Sequence, residues 1–338
     1  HMVLDGHSDL LYDVTRRRLE GERLVLERHH LDRLRRGGVE GLVLALWTTA
    51  AEETFWKDIP GMESAAVRTA VMMRCTRAEV VESPWLAAVR TAAGAEQARE
   101  QGQIYAFFAI EGMAAIGEDL TGINRYADFG ARIGMLTWNE TNALATGAGG
   151  DRYSPLTDLG QQAVTRMQNL GMLPDVSHLN DGGFADVIRL ARGPVIASHS
   201  TFRDIIRLAE GPVIASHSNC RALCDVRRNL TDDQLRAIRD TGGVVGVNVY
   251  HGFVHADPEQ QTAEMLARHA AHMADVMGVE HVACGFDFCE FFGPGNEGAQ
   301  GLEDCGEIPA FFSWLEKLGM SQRERAMVAR ENFLRVLA

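Results

Sequence analysis

The sequence has no run of eighteen apolar residues, no basic leader followed by an apolar core, and no C-x-x-C pair. The first absence argues against a membrane-spanning helix, the second against an export signal, and the third removes the usual framework of a zinc knuckle. Its six cysteines (Cys75, Cys220, Cys224, Cys284, Cys289, Cys305) stand far apart or at spacings of four and five. They read as reduced thiols, so a soluble, cytoplasmic protein is expected. Positive charge is also in deficit, with 33 Lys and Arg against 46 Asp and Glu and a net charge of −13. That balance opposes a nucleic-acid or anionic-membrane partner and suits small-molecule chemistry.

What is present is ordinary globular material. Hydrophobic residues make up 46% of the 338 positions, enough for a sizeable core. Short apolar runs, several rich in β-branched residues, alternate with segments of amphipathic helical period, the pattern of βα units around a parallel sheet. Candidate strands lie at 3–7, 41–47, 104–110, 133–137, 173–178, 195–198, 213–216, 243–250 and 281–286. Candidate helices between them include 158–170, 232–240 (capped by Thr231) and 259–277, with Gly171 and Gly278 as C-terminal stops. Repetition on this scale suggests a (β/α)8 TIM barrel forming a single domain over 1–338, with a doubly wound open sheet as the alternative.

Nine candidate strands are one too many for that barrel, and a repeat explains the excess. Within 185–220, ADVIRLARGPVIASHSTF is followed at once by RDIIRLAEGPVIASHSNC, a tandem duplication of period 18. A closed eight-stranded barrel takes one copy of the PVIAS strand, so the duplication predicts an extra helix-strand unit placed elsewhere.

Polar residues gather at the C-terminal ends of these strands, where barrel enzymes assemble their sites. His7, Asp9, Glu111, His178 and Asp287 each sit at or just beyond such an end. In LDGHSDLLYD, His7 and Asp9 are two apart and would share one face of an extended strand, within reach of one metal. Imidazole with carboxylate suits zinc or a similar divalent ion, and Glu111 in FFAIEG could bridge two such ions. His178 in LPDVSHLND and a histidine of PVIASHS would serve the second ion. Two ions holding a hydroxide between them provide the apparatus of metal-assisted hydrolysis. Asp287 in ACGFDF could take a proton or bind an ammonium, and Arg228 in RRNLTDDQL could clamp a carboxylate through its planar fork.

In order and over nearly the whole chain, LDGHSDLLYD, Glu111-Gly112, LTWNETNAL, DVSHLND, PVIASHSNCRALCDVRRNLTDDQL, GGVVGVNVY, HVACGFDF and ENFLRVL resemble the membrane dipeptidase (renal dipeptidase) family of zinc peptidases, and its bacterial branch most closely. The resemblance implies a (β/α)8 barrel, commonly homodimeric, with two zinc ions, hydrolysing unblocked dipeptides and often tolerating a C-terminal D-residue. It implies that His7, Asp9 and Glu111 hold one zinc, and that Glu111, His178 and the SHS histidine hold the other. Arg228 would bind the substrate's carboxylate, Asp287 its amine side or the transferred proton, and Tyr250 would line the pocket.

The chain departs from the family in three places. The histidine usual near LTWN is absent from Trp138-Asn139-Glu140, which bears on how the scissile carbonyl is polarised. D-F-D-G is replaced by Asp287-Phe288-Cys289-Glu290, which bears on the substrate pocket. The repeat also offers both His199 and His217 for one ligand position. His199 has the family's spacing from His178, at 21 residues, whereas the sequence from His217 to Arg228 follows the family throughout and favours His217. A third arrangement has the two copies exchanging. His29, His30, His251, His255, His269 and His272 read as surface or helix residues.

Two other functions compete with the dipeptidase. One is a catalytically impaired metal-binding barrel, damaged by the insertion and by the changes at Glu140 and Cys289. The other is a related amidohydrolase acting on N-acyl amino acids or lactones, which would usually show His-x-His where this chain has His7-Ser8-Asp9.

Overall fold

The computed structural model describes residues 2–49, 56, 59–191 and 211–338. Six strands form one parallel sheet: β1 (Val3–Ser8), β2 (Val39–Trp47), β3 (Leu86–Ala88), β4 (Ile104–Glu111), β5 (Ala131–Met135) and β6 (Leu173–Pro174). Their order is β1-β2-β4-β5-β6, with β3 paired to the start of β4. A second parallel pair joins β7 (Val245–Val247) to β8 (Val282–Cys284). Single parallel bridges, Asp175 to Ile214 and Ala215 to Val245, carry the run of strands from β6 across to β7. On the far side the Asp287 amide donates to the His7 carbonyl at 3.2 Å, bringing the end of β8 against β1.

All nine residues of β2 and all eight of β4 are buried, as continuous apolar strands must be when both faces are covered. Alternate side chains therefore feed two cores. Leu42, Leu44, Leu46, Ala106, Phe108 and Ile110 belong to the outer one, while Val43, Ala45, Tyr105, Phe107 and Ala109 turn inward. There they meet Leu4, Ile133, Met135, Leu173, Ile214, Val244 and Ala283. An interior shared by segments from β1 round to β8 requires the parallel sheet to curl.

Local signals set several helix ends. Thr157, Thr231 and Thr262 accept from the backbone of Gly160, Gln234 and Met265, capping the helices Asp158–Asn169, Asp232–Asp240 and Ala263–Met277. The last of these starts later than the periodicity suggests, because Pro258–Gln260 forms a separate 3-10 turn before the Thr262 cap.

The strands around the site are shorter than their apolar runs. Residues 173–178, 243–250 and 281–286 were expected as strands, but only Leu173–Pro174, Val245–Val247 and Val282–Cys284 hold the ladder, and 213–216 joins through the two single bridges. Beyond them the backbone turns: His178 and Asp287 take φ of 71° and 59°, which no strand tolerates. β3 is too short to show a periodicity. The candidate strand 195–198, His199 and much of the duplication lie outside the described residues.

Of the histidines read as surface or helix residues, His269 does lie in the helix Ala263–Met277, but it and His30 are buried in the core. His30 is buried and its Nε2 pairs with Asp13 Oδ2 at 2.6 Å. His269 is also buried; its Nδ1 accepts from the Cys220 amide at 3.1 Å and its Nε2 donates to the Val254 carbonyl at 2.7 Å. Burial lowers its pKa to about 4, which keeps Nδ1 free to accept. All six cysteines are free. Among the described residues no helix is long and apolar enough to cross a membrane.

Candidate metal centre

His7, in β1, and Asp9, just past it, converge as the sequence suggested, though not by strand alternation alone. The strand ends at Ser8, and Asp9 (φ −95°, ψ 21°) starts the turn into the helix Leu10–Leu19. The turn brings Asp9 Oδ2 to 3.6 Å from His7 Nε2. Glu111 arrives from the last position of β4, on the inward face shared with Tyr105, Phe107 and Ala109. Its Oε1 lies 3.3 Å from His7 Nε2, and its Oε2 lies 2.9 Å from His178 Nε2 and 3.5 Å from His217 Nε2. One carboxylate thus faces two groups of donors. Donor atoms of His7, Asp9 and Glu111 lie within 4.8 Å of one another, and so do those of Glu111, His178 and His217.

His217 reaches the centre because the backbone beside it has room. A Cβ on Gly285 or Gly246 would stand 1.6 Å or 2.0 Å from the Ser216 carbonyl, so this approach demands glycine at both positions. The His217 ring then stacks on His7, with centroids 3.7 Å apart. Each second-group histidine is oriented through its other nitrogen. His178 Nδ1 donates to Asn139 Oδ1 at 2.8 Å, and His217 Nδ1 pairs with Ser216 Oγ at 2.8 Å. Such partners fix which nitrogen faces the site. Sequence reasoning missed both: Asn139 acts across 39 positions, and only the direct Ser216-His217 adjacency gave a local signal.

The charges are strongly perturbed. Burial opposes a charge on His7, but Glu111 and Asp9 outweigh it and hold the imidazole well above its ordinary pKa. Burial, reinforced by the Asp9 charge, pushes Glu111 well up. Burial and then the charges of Arg228 and His7 drive His178 well down, and His217 responds to the same influences. Neutral imidazoles with lone pairs turned inward are the form that binds a metal.

The other predicted residues surround this nest. Asp287 Oδ1 is 3.7 Å from His7 Nε2, and its left-handed backbone (φ 59°) is a strained conformation of a kind that collects at functional sites. Arg228 is buried; its Nη1 donates to Ser218 Oγ at 3.3 Å and its Nη2 to the His217 carbonyl at 3.1 Å. Burial lowers the guanidinium to about 10, so it stays cationic at neutral pH. Tyr250 lies further out and partly exposed; its ring packs on Phe253, which also lies beneath the Arg228 guanidinium. Glu140 is half-buried, and its carbonyl accepts from the Gly147 amide.

The donors fit a cation. Among the described residues, His7 Nδ1 and Nε2, Asp9 Oδ1 and Glu111 Oε1 are buried without a hydrogen-bond partner, and each such orphan costs about 1–3 kcal/mol. A divalent ion with nitrogen and oxygen ligands would satisfy several of them together. The curled α/β sheet and this nest at its strand ends define a metallohydrolase.

Comparison with known proteins narrows the class. The chain matches the membrane dipeptidase family, peptidase family M19, over residues 1–207 and again over 200–338; it belongs to that family and is a metallopeptidase of dipeptidase type. An uncharacterized protein from the pqqA 5' region of Klebsiella pneumoniae is 33% identical over 256 residues, covering 73% of this chain and 86% of the relative. A Rhodobacter sphaeroides metallo peptidase, crystallised with a phosphinate mimic of the dipeptide L-Ala-D-Ala, superposes with TM-score 0.81 at 27% identity, covering 99% of this chain and 98% of that one. The metallo peptidase dipeptidase AC gives TM-score 0.82 at 27% identity, over 99% and 97% of the two chains.

Proposed function

We propose that this protein hydrolyses the peptide bond of unblocked dipeptides, including those with a C-terminal D-residue, with two zinc ions as cofactors. His7, Asp9 and Glu111 would hold one ion, and Glu111, His178 and His217 the other. The supporting observation is Glu111, which presents one oxygen to each group of donors. The phosphinate dipeptide mimic held by the Rhodobacter relative supports the substrate class and its stereochemistry.

When bound, the ions supply Lewis acidity and a water acidified toward neutral pH. The chain's own residues do the rest. Arg228, held by Ser218 and the His217 carbonyl, presents a fixed positive charge to the substrate carboxylate. Asp287, beside His7, takes the substrate ammonium or the proton released during attack and returns it to the leaving amine. Tyr250 and Phe253 line the outer pocket around Arg228. Asn139 and Ser216 keep the two imidazoles turned inward.

The same reading takes β1, β2, β4, β5, β6, the 213–216 segment, β7 and β8 as the eight staves of a barrel, in one domain over 1–338. The family match ends at 207 and restarts at 200, inside the 185–220 repeat, which supports one copy being additional. A homodimer rests on the family resemblance, and a cytoplasmic location on reading the six cysteines as reduced thiols.

The test is a panel of L-L and L-D dipeptides with free termini, assayed after loading with two equivalents of zinc. Cleavage of these is expected at rates well above those of N-acetylated or amidated controls. Full metal occupancy with no turnover on any member would overturn the assignment in favour of an impaired metal-binding barrel.

A further inference from the structure

Beyond the five ligands assigned above, Asp9 of the first group shares a second group of donors with a sulfur. Cys289 Sγ lies 3.3 Å from the Asp287 carbonyl oxygen and 3.5 Å from Asp287 Oδ1. Donor atoms of Asp9, Asp287 and Cys289 lie within 4.8 Å of one another, the same closeness that unites His7, Asp9 and Glu111. Asp9, 7% exposed, carries the Oδ1 that has no hydrogen-bond partner among the described residues. A buried carboxylate with an unpartnered oxygen thus belongs to the same group of donors as the thiol.

The local chain explains why the thiol is there. Phe288 is buried against Phe286, with ring centroids 5.3 Å apart. With that side chain anchored in the core and Asp287 in the left-handed region, Cys289 falls back over the carboxylates before the turn Glu290–Phe292.

We propose that Cys289 is a further donor to the first metal position, acting beside Asp9 and shifting that position toward softer divalent ions. This rests on the metal-centre reading above. As the sulfur–metal bond forms, the thiol releases its proton to solvent, and no electron is transferred. Thiolate is the softest ligand in the set, so it favours cadmium or cobalt over magnesium or manganese more than an all-oxygen and imidazole site would. Of the six cysteines only Cys289 lies within a group of candidate donors among the described residues.

Cobalt(II) titration of the full chain, followed by absorption spectroscopy and metal analysis, tests the proposal without reference to turnover. A near-ultraviolet thiolate-to-cobalt charge-transfer band is expected in the unmodified protein. It should be lost in Cys289→Ser and Cys289→Asp, while the visible cobalt bands and bound cobalt persist. The aspartate variant keeps an anionic donor if the serine variant folds poorly, and the unmodified protein is decisive by itself. Visible cobalt bands without the charge-transfer band, or a band that survives in either variant, would overturn the role of Cys289 and leave the metal centre standing. Failure to bind cobalt at all would overturn both.

Discussion

His178 and His217 bring their Nε2 atoms to within 3.0 Å of each other, with Glu111 Oε2 at 2.9 Å from the first and 3.5 Å from the second. Asn139 Oδ1 can only accept, so the His178 proton resides on Nδ1 and a lone pair faces the cluster. Asn139→Ala frees the ring to turn. Zinc affinity should fall by about 10- to 100-fold with the fold unchanged. Chelator competition alongside circular dichroism measures both.

His217 lies in this cluster, and His199 lies outside the described residues, so zinc content in variants of each tests the two copies of the repeat. In the proposed assignment each position has its own ligands apart from Glu111, so His217→Ala should reduce bound zinc from about two equivalents to about one. His199→Ala should retain both. Equal loss in the two variants would show that the copies exchange.

Glu111 faces both groups of donors, so its removal should act on both. Glu111→Gln should weaken zinc binding at the two positions together by more than about a hundredfold, beyond the usual cost of losing a partner behind a ligand. Mass spectrometry of the intact metallated protein distinguishes this from stepwise loss of one ion.

Arg228 holds its guanidinium through two different nitrogens, a fork that an ammonium cannot reproduce. Arg228→Lys should lower kcat/KM for free dipeptides by about 10- to 100-fold, equivalent to about 1.4–2.8 kcal/mol. Residual activity on dipeptide amides should stay unchanged. If both substrate types lose activity equally, the carboxylate clamp is wrong.

Asp181 belongs to none of the candidate donor groups among the described residues and makes a separate pH prediction. It accepts from Arg221 at 2.7 and 3.0 Å, from Arg152 at 2.7 Å and from Gln234 at 2.8 Å. Although burial raises it, these partners outweigh burial and hold its pKa below the ordinary value. A depressed folded pKa contributes stability that is fully present above the unfolded value, about 3.9, and is lost as pH falls toward the folded one. Asp181→Asn should therefore cost about 1–2 kcal/mol at neutral pH, after allowance for solvent screening, and progressively less below about pH 4. Urea unfolding at several pH values tests the trend.

The sequence by itself determined what local chemistry can specify. Apolar runs placed most strands, Thr157, Thr231 and Thr262 placed helix starts, and the positions of His7, Glu111, His178 and Asp287 at strand ends put them at one mouth. Tertiary structure decided what depends on approach between distant segments. The turn at Asp9, the left-handed backbone at His178 and Asp287, and the orienting contact from Asn139 arise where segments meet across tens to hundreds of positions. The burial of His30 and His269 has the same origin, since a histidine becomes a core residue only when a distant partner such as Asp13 or the Cys220 amide satisfies it. The place of His217 was decided there too: PVIASHS occurs twice with identical local preferences, and the close approach of Ser216 to Gly246 and Gly285 positions this copy's histidine beside Glu111.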